Sequence, residues 1–515
     1  MPEIILATFN AKYIHAAFGL RYLMANLGPL RERAMLVECV TTDSAVDVAE
    51  RLLALGPRVV GLGVYIWNAR QSAELVALLK RLAPEVVVVV GGPEVSYEID
   101  EQPICQAADY VIAGEADLAF RELCEALLGD QRPSTRIIYA PLPPLEALEL
   151  PYDLYTGEDL AHRVVYVEAS RGCPFRCEFC LSSLDIPVRK LPLEPFLAAM
   201  GRLLARGLRH FKFVDRTFNL DLKVSAAILN FFLDRYEPGL FLHFEMIPDR
   251  LPTALREIIA RFPPGALQFE VGIQTFDEAT SARISRRQDL DKLSANLDFL
   301  RAHTGVHVHA DLIAGLPGEP LEVFAQGFDR LVALGPHEIQ VGILKRLRGT
   351  PIVRHTAPFG MIYDPEPPYA LLSNDLMGFS TMQRLRRFSM VWDRVVNSGN
   401  FKRTAPLIWR GLDPSTPSRS PFDAFLAWSD WLALQAGRAH GIALLRLAGL
   451  LFEYLTAQRD LDPAALAPRL LADDQQGGRS DIPAFLRDHL PEPDPRPAQR
   501  PDRAASLPPR QQRHR

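Results

Sequence analysis

Arg171-Gly172-Cys173-Pro174-Phe175-Arg176-Cys177-Glu178-Phe179-Cys180 is the stretch on which the reading of this chain turns. It follows directly on a candidate strand, Val164-Glu168, and sets three thiols within eight residues. Thiolates spaced Cys-x3-Cys-x2-Cys can wrap a compact cluster on one loop, and three ligands for a four-iron cubane leave one iron open to a substrate or cofactor. A structural zinc site would want a fourth ligand close by, but the nearest histidines, His162 and His210, stand 11 and 30 positions away without finger-like spacing. The pattern favours iron–sulfur over zinc. Six cysteines in 515 residues cannot make a disulfide framework, and the scattered Cys39, Cys105 and Cys124 read as buried, inert thiols.

Strands and helices alternate outward from this loop. After Val164-Glu168 come candidate strands His210-Val214, Phe241-Met246, Gln268-Gly272, Val306-Leu312 and Glu338-Leu344, with helices Pro192-Arg206, Val224-Tyr236, Thr253-Phe262, Leu290-His303 and Leu321-Leu334 between them. Six such repeats predict a parallel barrel or partial barrel, a (β/α)6 unit whose chemistry gathers at the carboxyl ends of its strands. Upstream lies a second α/β series with strands Glu3-Ala7, Met35-Val40, Val59-Tyr65, Val86-Val90, Tyr110-Ala113 and Ile137-Tyr139, and helices His15-Leu27, Ala45-Ala54, Ala69-Leu82 and Leu118-Leu128. That order predicts a doubly wound, flavodoxin-like parallel sheet, with ligands expected at the strand ends Asn10-His15, Tyr65-Asn68, Gly91-Ser96 and Gly114-Asp117.

The domain expectation is therefore 1–140 for the first sheet, 141–160 for a proline-rich linker over the surface, 161–352 for the barrel and 353–490 for a mainly helical region. The last 25 residues hold seven prolines and six arginines with almost no large apolar side chains, a composition that predicts disorder over 491–515. A length of 515 residues agrees with about three domains, and 48% apolar content suffices for several cores. A net charge of -5 gives no global field toward nucleic acid or anionic membrane. The N-terminus has no secretory pattern, and no apolar run reaches the ~18 residues of a membrane helix, so a cytoplasmic protein without membrane or nucleic-acid partners is expected.

The cysteine triplet on the loop after the first barrel strand resembles that of the radical S-adenosylmethionine enzymes, over about residues 160 to 350. The resemblance implies that Cys173, Cys177 and Cys180 hold a [4Fe-4S] cluster whose open iron is chelated by S-adenosylmethionine. One electron would then cleave the sulfonium to give a 5'-deoxyadenosyl radical. It further implies a backbone contact from Phe179 to the adenine. Polar groups at later strand ends fit the rest of the nucleoside and its methionine. They are Asp215 in Phe213-Val214-Asp215, Glu245, then Gly272 and Gln274 in Glu270-Val271-Gly272-Ile273-Gln274, and Asp311 with Gly315 in Asp311-Leu312-Ile313-Ala314-Gly315. A reductase, flavodoxin or ferredoxin would supply the electron.

The first sheet, with Gly91-Gly92-Pro93-Glu94-Val95 after one buried strand and Gly114-Glu115 after the next, resembles the cobalamin-binding domain fused to many such enzymes. Small residues there let the corrin and its nucleotide tail approach the backbone, and Asn10, Tyr13, His15, Tyr65 and Trp67 fall at the same sheet edge. Cobalamin domains with a histidine lower ligand carry Asp-x-His-x-x-Gly; here Tyr13-Ile14-His15-Ala16-Ala17-Phe18-Gly19 lacks the carboxylate that would orient His15. The resemblance implies a cobalamin-dependent methyltransferase acting on an unactivated carbon of a small-molecule or peptide substrate. The same cofactors also serve radical rearrangement, cyclisation or oxidation. A transfer-RNA methylthiotransferase would need Cys39, Cys105 and Cys124 to hold a second cluster, and a non-enzymatic cobalamin or redox sensor would use the helical region as its output. Finally, Lys345, Arg346 and Arg348 in the turn Lys345-Arg346-Leu347-Arg348-Gly349-Thr350-Pro351 read as solvated charge, or as groups facing an anion.

Overall fold

A computed structural model describes residues 1–184, 187–413, 415, 418–437, 441–476, 481–490, 511 and 513. The expected disordered tail, 491–515, lies outside the described residues apart from Gln511 and Arg513. The chain divides into two compact units: Met1–Arg216 with Lys345–Val353 and Asp364–Ala370, and Thr217–Leu344 with Arg354–Tyr363 and Leu371–Arg515.

The first unit begins with the doubly wound sheet. Its strands are β1 (Ile4–Asn10), β2 (Ala34–Val40), β3 (Val59–Gly63), β4 (Val87–Gly91), β5 (Tyr110–Ala113) and β6 (Ile137–Tyr139), all parallel in the order β2-β1-β3-β4-β5-β6. Helices α1 (Phe18–Ala25), α2 (Ala45–Leu53), α3 (Ala69–Leu82), α4 (Pro103–Ala107) and α5 (Ala119–Leu128) connect them. Strand alternation sorts the core into two faces. Ile5, Ala7, Val60, Leu62, Val88 and Val90 pack with α2 and α3, whereas Ile4, Leu6, Val59, Val87, Val89 and Ile112 pack with α1 and α5. Burial on both faces explains the unbroken valine run of β4.

The segment expected to run over the surface as a linker is instead packed. Tyr152 and Tyr155 are buried, Leu145 and Leu148 join Leu191 in a small cluster, and Asn26 exchanges two hydrogen bonds with the Glu149 backbone at 3.1 and 2.9 Å. Prolines here shape short turns between buried apolar side chains, so the composition misleads. Next come α6 (Gly157–His162), opened by a Thr156–Asp159 capping box, then β7 (Val165–Val167), a two-residue ladder of β8 (Ser170–Arg171) on β9 (Arg189–Lys190), α7 (Leu193–Ala205) and β10 (His210–Phe213), which pairs in parallel with β7.

In the second unit α8 (Leu222–Leu233), β11 (Phe241–Met246), α9 (Thr253–Ala260), β12 (Leu267–Gln274), α10 (Glu278–Arg283), α11 (Leu290–His303), β13 (His307–Ala314), α12 (Leu321–Leu334) and β14 (Glu338–Ile343) continue the alternation. Strands β11 to β14 pair in parallel, each with the next. A short antiparallel pair, β15 (Ile362–Tyr363) and β16 (Leu371–Ser373), precedes α13 (Phe379–Trp392), α14 (Pro421–Ala436), α15 (Leu444–Ala457) and α16 (Pro463–Gln476). Trp392, Trp409 and Trp428 of this region are buried: Trp392 stacks on Trp409 at 5.8 Å and meets Phe328 of α12 edge-on at 4.7 Å.

Candidate active site

On β3, Val59, Gly61 and Gly63 face α1 and α5; on β4 the same face carries Val87, Val89 and Gly91. Where a regular core would place side chains, glycines leave a slot. It is a cavity of about 380 Å³. Gly61, Gly63, Gly91, Gly92 and Gly114 form its floor, and Phe18, Leu20, Tyr22, Phe120 and Tyr65 its walls. A methyl on Gly61 would sit 2.7 Å from the Phe120 ring, and one on Gly92 would sit 2.5 Å from the Val64 carbonyl with φ at +113°. At Gly91 a methyl would meet its first neighbour, the Ile112 carbonyl, only at 3.4 Å. Gly91 is therefore small for the sake of the cavity, not of the fold. Such a slot suits the flat edge or nucleotide tail of a large ligand.

Glu168, Ser170, Arg171, Gly172, Val214 and Arg216 also line it. Thus the residues immediately before Cys173 and the glycine turns of the sheet border one cavity. Arg171 organises this wall: its guanidinium reaches Glu115 at 2.7 Å, Asp117 at 2.9 and 3.1 Å and Glu168 at 2.9 Å, and lies 4.6 Å from the centre of the Tyr22 ring. Arg189 adds a second contact to Glu115. Burial pushes the Glu168 carboxyl up despite Arg171. Three carboxylates around two guanidiniums leave a paired polar wall with one carboxylate in excess.

Cys173 and Cys177 are buried and Cys180 is half-buried, with the Cys180 N–H donating to the Cys177 carbonyl at 3.1 Å. Burial raises the Cys173 thiol, a backbone N–H from Phe175 opposes it, and the neighbouring thiols of Cys180 and Cys177 raise it further, as expected for sulfurs gathered on one loop. Among the described residues no three or more His, Cys, Asp or Glu side chains converge as they would around a single metal ion. A four-iron cluster makes a different demand, because each thiolate takes its own iron. Three thiols on one loop are the donor set for such a cluster. Phe179, half-buried, stands between the last two.

Asp215 is 3% exposed and faces this loop from the end of β10. Its carboxylate accepts from the Ala169 N–H at 3.0 and 3.2 Å and from the Ser170 hydroxyl at 2.6 Å. Burial pushes its carboxyl up to about 7 against those bonds. Asp215 thereby anchors the chain entering the cysteine motif, a role that spacing alone does not reveal.

In the second unit, strand alternation gathers the remaining expected residues on one polar face. On β12 Leu267, Phe269, Val271 and Ile273 are buried while Gln268, Glu270, Gly272 and Gln274 line the other side. Register sets Glu245 beside Glu270, Gly272 beside Asp311, and His309 between Glu270 and Glu338. A bulge between Gly272 and Gln274 puts Gln274 at φ +73° and folds its amide over Gly272, where a Cβ would lie 2.6 Å from Nε2. Gly315, at φ +90°, is required by packing, since a methyl there would sit 2.5 Å from Leu371. Sequence reasoning missed three histidines on this face. His243 bonds Glu270 at 3.0 Å, His307 bonds Glu338 at 3.0 Å, and His309 lies 3.3 Å from Asp311 and 3.6 Å from Glu338. Burial lowers the His309 imidazole, but Asp311, Glu338 and Glu270 outweigh it and hold it above the ordinary value; burial raises Asp311. The missed signal was polar residues at alternate positions of buried strands.

Family models match three stretches: 4–124 matches the B12 binding domain, 167–331 the radical SAM superfamily, and 357–470 a protein family of unknown function (DUF4080). The chain joins a B12 binding domain to a radical SAM domain. A cobalamin-dependent radical SAM methyltransferase of Streptomyces tokunonensis, TokK, is 25% identical over 56% of this chain and 47% of its own length. An uncharacterized methyltransferase of Pyrococcus horikoshii is 28% identical over 54% of this chain and 64% of its own. The chain thus spans less than two thirds of these relatives. In fold it is similar to the radical S-adenosylmethionine methyltransferase TsrM from Kitasatospora setae, solved with cobalamin and a [4Fe-4S] cluster, with a TM-score of 0.57 over 72% of this chain and 79% of that one at 16% identity.

Within the B12 binding domain, Tyr65, Gly91, Gly92, Gly114 and Glu115 line the cavity, whereas Asn10, Tyr13, His15, Trp67, Pro93, Glu94 and Val95 are not among its lining residues. Asn10 bonds Glu38 at 3.0 Å, inside a buried network where Glu38 also takes Arg21 at 2.9 Å and Arg163 at 2.8 Å, and Asp159 takes Arg21 at 3.0 Å. Tyr13 lies under Arg163 and donates to Glu158. Trp67 stacks on Tyr65 at 4.5 Å and donates to the Phe9 carbonyl. The His15 Nδ1 is 2.6 Å from the Tyr166 hydroxyl, and its backbone bridges to Val164, so this histidine is held against β7. Burial, with Lys212 and Lys12, keeps its imidazole below the ordinary pKa and therefore neutral. Cys39 and Cys105 pack on one face of the sheet and Cys124 on the other, which prevents the three from sharing a cluster.

Proposed function

We propose that this chain is a cobalamin-dependent radical S-adenosylmethionine methyltransferase that methylates an unactivated carbon of a small-molecule or peptide substrate. One observation carries the reading: the glycine-floored cavity of the B12 binding domain is bordered by the residues that lead into the three-cysteine loop. When bound, the cluster, S-adenosylmethionine and cobalamin supply electron transfer, radical generation and a transferable methyl group.

The residues of the chain have the following parts. Cys173, Cys177 and Cys180 would hold the cluster, with one iron left for the amino and carboxylate groups of S-adenosylmethionine. Phe179 would lie against the adenine. Asp215 fixes the loop entry. Within the second unit, Glu245, Gly272, Gln274 and Asp311 would offer polar contacts to a ligand at the strand ends, whereas Gly315 packs against Leu371. Gly91, Gly92, Gly114 and Glu115 would receive the corrinoid, with Tyr65 against it. His15, hydrogen-bonded to Tyr166 and outside the cavity lining, is not assigned as a cobalt ligand in this reading. A reductase, flavodoxin or ferredoxin would serve as donor.

Anaerobic reconstitution tests the reading. The expected result is about four irons and about one corrinoid per chain, with the cluster absorbance lost in Cys173→Ala, Cys177→Ala and Cys180→Ala. With reductant and substrate, 5'-deoxyadenosine and S-adenosylhomocysteine should form together with a methylated product. A rearranged, cyclised or oxidised product without methyl gain would assign the same cofactors to a different outcome. A cluster that persists in all three cysteine variants would refute the proposal.

A further inference from the structure

The turn Lys345–Thr350 carries three basic residues, and two of them, both half-buried, are paired with carboxylates of the first sheet's domain. Arg346 grips Glu98 with both nitrogens, at 2.9 and 3.2 Å, and Arg348 reaches Glu98 at 2.9 Å and Glu94 at 3.1 Å. Tyr369 lies under the Arg348 guanidinium, accepts from it at 3.1 and 3.2 Å, and donates to Glu94. Gly349, at φ +77°, lets the backbone meet the Tyr97 ring, since a methyl would lie 2.3 Å from its Cγ. Glu94, Tyr97 and Glu98 belong to the loop that follows β4, whose last residue Gly91 and the next, Gly92, line the cavity. Four residues past Arg348, the Ile352 N–H donates to the Glu178 carbonyl at 2.9 Å, between Cys177 and Phe179.

We propose that Arg348 and Tyr369 are positioning residues for the corrinoid cavity, and that the Arg346–Ile352 strap fixes the spacing of the β4 loop from the cysteine loop. This inference rests on the proposed cobalamin reading. Its physical basis is the buried Glu94 carboxylate, 5% exposed. A carboxylate so desolvated holds its place only while its cationic and hydroxyl partners are present, so the loop geometry depends on the strap. Glu94, which the sequence suggested as a cofactor contact, instead points its charge at the strap, while the glycines beside it are left for the ligand.

The test uses the full-length chain carrying its cluster, with Arg348→Met, Arg348→Lys and Tyr369→Phe. Hydroxocobalamin titration followed by absorbance should show affinity reduced about tenfold or more in Arg348→Met and about threefold in Tyr369→Phe, with Arg348→Lys intermediate. Iron content should match the wild type. Hydrogen exchange without corrinoid should accelerate across residues 91–98 in Arg348→Met and Tyr369→Phe. Corrinoid should slow exchange across 175–181 in the wild type and lose that effect in Arg348→Met. Affinities within twofold of the wild type together with unchanged exchange in 91–98 would overturn the proposal. If the wild type itself takes up no cobalamin, the cofactor reading fails, and exchange in 91–98 alone decides whether the strap braces the loop. Should Arg348→Met not fold, the single-hydroxyl change Tyr369→Phe carries the same comparison.

Discussion

Three glycines on one face of two strands should respond differently to the same added methyl group. At Gly91 the nearest heavy atom to a new Cβ is 3.4 Å away, an ordinary contact, and the backbone needs no left-handed conformation. Gly91→Ala should therefore leave the fold intact and stabilise it by about 0.4–1 kcal/mol through lost freedom in the unfolded chain. At Gly63 the methyl meets the end of Leu20 at 3.2 Å, a flexible neighbour, and the net change in stability should be near zero. At Gly61 it meets the Phe120 ring at 2.7 and 2.8 Å, so the ring must move, at a cost of about 1–3 kcal/mol. Hydroxocobalamin binding should give a different order. Gly91→Ala places its methyl in the cavity and should weaken binding about tenfold to a hundredfold, about 1.4–2.8 kcal/mol, while the chain itself becomes no less stable. Urea unfolding of the corrinoid-free protein, paired with spectral titration, reads both quantities. The reasoning is refuted if Gly91→Ala destabilises as much as Gly61→Ala, or if its corrinoid affinity equals that of the wild type.

Asp215, pushed up to about 7, keeps in the folded state a proton that the unfolded chain releases near its ordinary 3.8. Stability should consequently fall as pH rises from about 4 to about 7, by at most about 4 kcal/mol, and level off above; Asp215→Asn should flatten that slope in urea unfolding at graded pH. Burial alone would raise Glu38, yet hydrogen bonds and charge from Arg21, with help from Asn10 and the Ala17 N–H, hold it below the ordinary carboxylate range. Glu38→Ala leaves Arg21 and Arg163 without that carboxylate and should cost about 3–5 kcal/mol in the same assay. Burial also pushes the thiols of Cys105 and Cys124 up to about 11 and about 12, so neither should react with iodoacetamide at pH 7.5 until the chain unfolds, as mass spectrometry of labelled peptides would report.

Much of the architecture was legible because hydrophobic periodicity is local. Val87–Gly91, Tyr110–Ala113 and Phe241–Met246 form strands within a residue of their expected limits, as do helices Ala69–Leu82, Leu290–His303 and Leu321–Leu334. The proline-rich stretch after Ala140 was misjudged because composition does not show that Leu145, Leu148, Tyr152 and Tyr155 all turn inward. The three cysteines needed no structure to be found, since ligand type and spacing are written in consecutive residues.

What the chain order by itself determined was the sequence of strands and helices, the thiol donor set and the glycine turns at strand ends, all properties of residues near one another along the backbone. Only the tertiary structure decided that Gly61, Gly63 and Gly91 share one face and so open a cavity, that Asp215 and Glu94 anchor loops, and that His243, His307 and His309 join the carboxylates of neighbouring strands. Those relations depend on register and on contacts between distant segments, such as Arg348 with Glu94, and no local pattern encodes them.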